Sequence, residues 1–558
     1  MINMAEYEPT LRERFTTEQI ERYYATGNWT EDSFSDTIRK QAQKRPDKVY
    51  CLDSTHSLTF AELYEQVQRL AVGLKRLGVQ RGDRVLAQVP NLVEFPVIAG
   101  AAARIGAVIV PVMPIYRGND VEYVLSNSGA KVAFFADEFN KFSFRDMYLD
   151  LFDEVDSLEH LVALRPVSGA DDSKVHNFRS LLAEGDLEAL EAEAGPDTHP
   201  DEPYEIVYTS GTTSRPKGCY HTLNTVRSGA VQLTEVLQYT EDDKQFGPSP
   251  ITHTTGIVTS VFLPLLNGAT SYFMEKWDPA EGVRIVEEQS LTCAVTATAF
   301  LQGLMRVYDP DVNNVDSLRV WVSAGAPVPG SLVRNAEKLI PRCSVQSLYG
   351  RSENNVTTVV PLGEPAEKSI NSDGGAISPA DVKVVGADGY EVSRGAEGDI
   401  AYKGPSHMLG YWHNEPETEL LFTPEGYSRS GDLGFMNDEG YVRVTGRSKD
   451  IIIRGGMNIS AREVEDYLIE FPDVANVAVV AMPDEKLGEK CCAYVVPAAD
   501  GTVVDLQTVT DYLRRRGVTT QKLPERVEVV AELPTTATGK IQKHILRAEI
   551  AAKLKSDA

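Results

Sequence analysis

An α/β architecture is predicted by three observations on this 558-residue chain: amphipathic helical stretches alternate with short apolar runs, 42% of the residues are apolar against 24% charged, and the texture changes near residue 440. Strand and helix in alternation imply parallel sheets covered by helices. A chain this long exceeds one ordinary core, so two or more domains are expected. The expectation is a large N-terminal domain of helix-covered sheets over residues 1–448 and a small α+β C-terminal domain over residues 449–558.

The elements follow in order. Thr59 reads as the N-cap of a helix over FAELYEQVQRLAVGLKRL that Gly78 stops, and GDRVLAQV then reads as a strand. The apolar segment FPVIAGAAARIGAVIVPV at 95–112 holds Arg104, two Gly and two Pro, so a small-residue helix followed by a buried strand is expected and a membrane span is not. The strand–helix rhythm recurs in VEYVLSNSGAKVAFFA and from Val226 to Ser323, while the acidic stretch 186–203 reads as a solvated helix and loop. No internal repeat or low-complexity segment is visible. Beyond residue 440, GYVRVTGRSKDIIIRGGMNISAREVEDYLIEF gives two apolar strands, a glycine turn and a helix capped at Ser460 with Glu463 three positions on. VANVAVVAMP and CCAYVVP supply further strands and VTDYLRRRG a helix, which places the domain boundary close to Lys449.

Composition narrows the partners. Lys and Arg number 55 against 81 Asp and Glu, a net charge of -26, so nucleic acid and anionic membrane are excluded as partners of the surface as a whole. An anionic ligand would need a local gathering of cations and backbone N–H groups. The charged N-terminus shows no secretory signal, and six cysteines without CxxC spacing fit a reducing cytoplasm. Homodimerisation is left open.

The stretch YTSGTTSRPKGCYHT at 208–222 offers such a gathering. Gly211 and the run of Thr and Ser permit a tight backbone whose N–H and hydroxyl donors converge on phosphate oxygens, and Lys217 adds a positive charge. On composition alone a polar surface turn fits equally. It is not a Walker loop, because Pro216 precedes the lysine and Gly218 follows it where Ser or Thr would be needed.

Four more segments, SLYGRSEN (347–354), YSRSGDLG (427–434), GRSKDIIIRGGMN (446–458) and LPTTATGKIQK (533–543), follow the first in fixed order. Together the five resemble the adenylate-forming superfamily, which includes acyl-CoA synthetases, adenylation domains of peptide synthetases and luciferases. The resemblance spans nearly the whole chain. It implies a two-step reaction in which a carboxylic acid and ATP give acyl-adenylate and pyrophosphate, and a thiol then displaces AMP. The first step brings a carboxylate to the α-phosphate, and two unit charges about 4 Å apart repel by roughly 4 kcal/mol at an effective dielectric near 20.

The resemblance carries over residue by residue. Lys540 takes the role of the lysine that offsets this repulsion. Thr209, Ser210, Gly211, Thr212, Thr213 and Lys217 match the phosphate loop, with Ser214 where the family has Gly. Glu353 matches the magnesium-binding glutamate, since a hard oxygen ligand suits Mg2+ bridging substrate phosphates, and Ser352 keeps the hydroxyl of the usual Thr. Tyr349 and Gly350 lie on one side of the adenine, with Gly325, Ala326 and Pro327 of SAGAP on the other. Asp432 and Arg447 match the ribose contacts. Lys449 corresponds to the hinge about which a mobile C-terminal domain turns, and Gly455, Gly456 and Met457 to the loop lining the tunnel for coenzyme A.

The acid is less constrained. PSPITHTTGIV at 248–258 matches the strand-to-helix turn at the acyl pocket, with His253, Thr254 and Gly256 as candidate walls. Ligases for 2,3-dihydroxybenzoate place Asn after this His, where Thr254 stands here, so a less polar medium-chain or alicyclic acid is expected, with CoA as acceptor. The alternative is an aryl acid ligase that loads the phosphopantetheine of a carrier protein. A nucleotide-binding pseudoenzyme is a distant third reading, disfavoured by the presence of both Lys540 and Glu353.

Overall fold

The computed structural model describes residues 7–166, 174–209, 215–326, 328–499, 501–536 and 540–557. Local signals are realised where the sequence placed them. Thr59 caps the helix Phe60–Arg76, its hydroxyl accepting the Glu62 N–H at 3.2 Å while the Glu62 carboxylate accepts the Thr59 N–H at 2.8 Å. The 95–112 segment divides into the helix Glu94–Arg104 and the buried strand Val108–Pro111. Arg104 is buried there, with its guanidinium donating to Gln68 Oε1 at 3.0 Å and to the Gly195 carbonyl at 2.6 Å. Among the described residues no helix is long and apolar enough to cross a membrane.

The parallel pairing expected from the alternation forms two blocks. In one eight-stranded sheet the strands Ser344–Tyr349, Val320–Ala324, Cys293–Ala297, Lys244–Gly247, Thr270–Phe273 and Val49–Leu52 lie parallel, with antiparallel Thr358–Val359 and Ser57–Thr59 at the edges. A second eight-stranded sheet has Pro203–Tyr208, Val108–Pro111, Arg84–Gln88, Ala130–Ala136, His160–Leu164 and Val175–Asn177 parallel, with Gly218–Thr222 and Gly410–Tyr411 added antiparallel. The largest apolar cluster runs between these sheets through the helices Phe60–Arg76, Glu94–Arg104 and Leu223–Val236.

Two features differ from the sequence expectation. A third, wholly antiparallel sheet, Asp381–Val385, Gly398–Lys403, Ser428–Met436 and Val442–Arg447, follows the parallel blocks; its first two and last two strands are joined without a helix, while the middle connection carries the short helix Glu415–Glu419. The acidic helix Leu187–Ala194 is not merely solvated: Leu190 and Ala194 are buried, and Glu191 accepts the Tyr64 hydroxyl at 2.8 Å.

After a short turn over Ser448–Asp450 comes a five-stranded sheet of Met457–Ser460, Ile451–Arg454, Gly488–Pro497, Val474–Asp484 and Arg526–Val529. Ser460 caps the helix Ala461–Leu468 by accepting the Glu463 N–H at 3.2 Å, while the Glu463 carboxylate goes to Lys522 at 2.7 Å. Adjacent Cys491 and Cys492 point to opposite faces of this sheet, each into its own apolar cluster. All six cysteines are buried and unpaired.

Candidate active site

In open α/β sheets, ligands gather beyond the carboxyl ends of parallel strands. Here one cavity of about 780 Å³ opens beyond the first sheet, lined by Ser249, Ala297, Ala324 and Tyr349 at or just past the ends of four of its parallel strands, and by Thr209 past the end of Pro203–Tyr208 in the second. The antiparallel sheet and the C-terminal unit close it, contributing Asp432, Arg447, Lys449 and Lys540. The structure thus brings together Lys217, Gly325, Ala326, Tyr349, Gly350, Ser352, Glu353, His253 and Thr254 with those four. Ser210, Gly211, Thr212, Thr213 and Pro327 lie outside the described residues, as does Ser214.

The side expected to take the nucleotide is densely bonded. Asp432, 5% exposed, accepts the Tyr349 hydroxyl at 2.6 Å on one carboxylate oxygen and pairs with Arg447 Nε at 2.8 Å on the other. Its strand is braced by Asp399, whose Oδ1 accepts the N–H groups of Ser430 and Gly431 at 3.1 and 3.0 Å. At the base of the segment expected to hold phosphate, Thr209 N–H donates to the Lys217 carbonyl at 2.9 Å. The Lys217 ammonium lies 3.0 Å from Glu417 and 4.5 Å from the centre of the Tyr411 ring.

Glu353 accepts the Tyr411 hydroxyl at 2.7 Å. Burial pushes its carboxyl up, but the Arg351 guanidinium, the Tyr411 hydroxyl and the Lys217 ammonium together hold it below the usual carboxylate range. A half-buried carboxylate kept ionised fits magnesium, which takes few protein ligands and shares the rest with phosphates and water. Among the described residues no group of three or more His, Cys, Asp or Glu is placed to hold a metal by itself.

Burial, with the nearby charges of Arg447 and Lys449, pulls the Lys540 ammonium down to about 8, opposed by Asp432. His253 caps the short helix Thr254–Gly256, its Nδ1 accepting the Thr255 N–H at 3.3 Å. Burial, and then the charge on Lys540, pulls this imidazole down to about 4. It is neutral near pH 7, and since Nδ1 accepts, the hydrogen-bond network assigns the proton to Nε2.

One expectation is corrected. Gly256 does not line the cavity; a Cβ there would lie 2.2 Å from the Pro250 carbonyl oxygen, so the glycine serves backbone packing behind the wall. Gly455, Gly456 and Met457, expected at the thiol tunnel, lie away from this cavity, which holds Lys540: the glycines, at φ +57° and +87°, form the exposed hairpin turn between Ile451–Arg454 and Met457–Ser460.

Other residues of the site escaped the sequence reading. Arg351 reaches Asn354 Oδ1 at 2.6 Å and the carbonyls of Arg429 and Ser428 at 2.7 and 3.1 Å, tying the Glu353 turn to the strand that carries Asp432. It occupies the unassigned position of YGRSE. Tyr411 comes from a short edge strand, where only its place in the aromatic pair Tyr411-Trp412 marked it.

Residues 38–412 match the family described as AMP-binding enzyme, and residues 463–540 match the AMP-binding enzyme C-terminal domain. The chain is 33% identical over 545 residues, covering 97% of its length and 95% of the relative's, to the medium-chain fatty-acid–CoA ligase of Escherichia coli strain K12. It is 30% identical over 544 residues, 95% of its length and 93% of the relative's, to the salicyl-AMP ligase / salicyl-S-ArCP synthetase of Mycobacterium tuberculosis strain H37Rv. The fold is that of the anthranilate CoA ligase AuaEII solved with anthranoyl-AMP, at a TM-score of 0.83, 23% identity, and 95% and 98% coverage of the two chains. With five ordered motifs meeting at one cavity and both parts of the family matched, the chain belongs to the AMP-binding enzymes of the adenylate-forming superfamily and is an adenylate-forming acid ligase.

Proposed function

We propose that the chain activates a medium-chain or alicyclic carboxylic acid as its acyl-adenylate and transfers the acyl group to coenzyme A. The observation that carries this reading is the lining of the cavity. Lys540, Arg447 and Lys217 line it together with Leu233, Val258, Val295 and Val356, the aliphatic residues accompanying His253, Thr254 and Thr255, and the Lys540 ammonium is near enough to depress the pKa of the His253 imidazole. An acyl group entering there meets aliphatic carbon, hydroxyls and the Asn355 amide. The similarity to the E. coli medium-chain ligase supports the same reading.

In adenylation an acid oxygen bonds to the α-phosphorus of ATP as the bond to pyrophosphate breaks. Lys540 offsets the mutual repulsion of carboxylate and phosphate at that point. Asp432 accepts from the ribose hydroxyls with Arg447 beside it, Tyr349 and the Gly325–Ala326 segment flank the adenine, and the Thr209–Lys217 loop holds the phosphates. Glu353 would hold magnesium, which neutralises phosphate charge when bound. His253, neutral and committed through Nδ1 to a helix cap, walls the acyl pocket and takes no proton. Because the Gly455–Gly456 hairpin lies away from the cavity, the thiol step requires residues 449–558 to turn about Lys449 and bring that hairpin to the tunnel.

A second reading, loading of an aryl acid onto a carrier-protein thiol, is favoured by the likeness to the salicyl-AMP ligase and by Thr254 Oγ1, which is buried without a hydrogen-bond partner and would suit a ring hydroxyl. Pyrophosphate release with ATP and magnesium, measured across aliphatic, alicyclic and aromatic acids with and without CoA, separates the two. CoA-stimulated turnover of aliphatic or alicyclic acids is expected. Turnover confined to hydroxylated aromatic acids and indifferent to CoA would overturn the first reading.

A further inference from the structure

The turn that delivers His253 is not held by its own sheet alone. Asn91 sits in the loop after strand Arg84–Gln88 of the second sheet, yet its side chain, 4% exposed, is buried among strand ends of the first. Its Nδ2 donates toward the carbonyl oxygens of Gly247, Ser249 and Met274 at 3.1, 2.9 and 3.0 Å, and its Oδ1 accepts the Ile251 N–H at 2.9 Å. Three acceptors sharing the two N–H donors on one side and a backbone donor on the other fix the amide's orientation.

The constraint runs onward through the backbone. Ser249 lines the cavity. The Pro250 carbonyl accepts the His253 N–H at 3.1 Å, and the backbone of Pro250 and Ile251 is what leaves no room for a side chain at Gly256. Upstream, the Asn91 loop is itself anchored: Val93 N–H donates to Asp53 Oδ2 at 3.1 Å, and Arg165 pairs with both Asp53 and Glu94, at 2.5 and 2.7 Å. Asn91 therefore links an ion cluster fixed at the ends of both sheets to the wall beside His253 and Thr254.

We propose that Asn91 is a positioning residue that sets the path of residues 247–251, and through it the placement of His253 and Thr254 against the acid; this rests on reading that turn as the acyl wall. A buried amide that served only the fold would affect stability and leave the substrate constants alone. Acting through the turn, it affects the acid and not the nucleotide.

The test uses the full-length protein and four variants: Asn91→Ala, Asn91→Asp, His253→Ala, and Val67→Ala, a core truncation in the helix Phe60–Arg76 that serves as a stability control. For Asn91→Ala the KM of the acid is expected to rise about tenfold, the equivalent of ~1.4 kcal/mol, with shifted preference among acids and an unchanged KM for ATP. Val67→Ala lowers the Tm without moving either constant. In Asn91→Asp the buried carboxyl beside three carbonyls has a raised pKa; protonated, it donates one bond and partly rescues the acid KM, and ionised, it repels, so that KM climbs with pH in this variant alone. The proposal is overturned if Asn91→Ala loses thermal stability while acid KM and selectivity stay at wild type, or if Asn91→Asp shows the wild-type pH dependence. Should Asn91→Ala fail to fold, the Asp variant decides. If His253→Ala also leaves selectivity unchanged, it is the acyl assignment of the turn that fails; if His253→Ala shifts it and the Asn91 variants do not, only the positioning role fails.

Discussion

The two walls of the cavity are held in opposite ways. The wall at 247–256, which we assign to the acyl group, is held by the buried Asn91 amide, which donates toward the Gly247 and Ser249 carbonyls and accepts the Ile251 N–H, and by backbone contact tight enough to exclude a Cβ. The wall that carries Lys540 is tied to the rest of the molecule by long ion pairs: Arg462 to Asp373 at 3.8 Å, Arg443 to Asp466 at 3.9 Å, and Arg334 to Glu470 at 3.4 Å. Arg462 Nε and Nη2 are buried without a hydrogen-bond partner. A short bond, Ser460 Oγ to the Thr445 carbonyl at 2.6 Å, stands beside them. Long ion pairs contribute little where the groups are partly exposed, so the two walls differ in how they are held: one through the backbone, the other chiefly through side-chain charges, as the proposed turning of residues 449–558 would need.

The comparison can be broken most directly at Lys540. Lys540→Ala is expected to slow pyrophosphate release by about a hundred- to a thousand-fold, the usual cost of losing one preorganised charge at a reacting centre, while thioester formation from supplied acyl-adenylate continues; equal loss of both steps would remove the division between the walls. A milder test uses pH. Because the ammonium is pulled down to about 8, its charged form is present below that pH and lost as pH rises through it. The kcat/KM for adenylation should therefore show a descending limb near that value, falling about tenfold for each further unit, and a profile flat well beyond it would uncouple Lys540 from the rate. The smallest effect is expected at the seam: Arg462→Ala should lower the adenylation rate about fivefold, the scale of a ~1 kcal/mol contact, and spare or speed the thiol step. A uniform loss in both steps would show that the long ion pairs hold the fold and not the pose.

Sequence legibility divides along the same line of reach. The Thr59 and Ser460 caps, the Glu94–Arg104 helix and the five phosphate- and ribose-side motifs are short-range patterns, and each can be read within a few residues. The third sheet could not be read this way, because its register pairs Asp432 with Arg447 across a turn whose partners are set by contact and not by spacing. Arg351 was passed over because an arginine between two motif positions looks like a surface charge until its guanidinium is seen closing three carbonyl and amide acceptors. Asn91 was passed over for a related reason: Pro90-Asn91 reads as turn chemistry, and nothing local says that its amide reaches strand ends more than 150 residues on, at Gly247 and Ser249. Gly256 was read as part of the pocket wall because nothing local shows that its missing side chain makes room for the Pro250 carbonyl.

The lining of the cavity has one further consequence. Its described residues include eight Lys or Arg side chains and eight Asp or Glu, a balanced set inside a chain whose formal net charge is -26. A polyanion such as ATP is therefore not drawn in from afar; at low ionic strength the outer field opposes its approach, and attraction begins only inside the mouth. Added salt, which weakens capture by a cationic trap, here screens the repulsive part of the journey first, since long-range repulsion is damped beyond a Debye length of about 10 Å near 0.1 M while short contacts inside the mouth are damped less. Encounter with the nucleotide is thus governed by the solution and its retention by the protein, and pairing ATP with a divalent cation before entry lowers the same outer barrier.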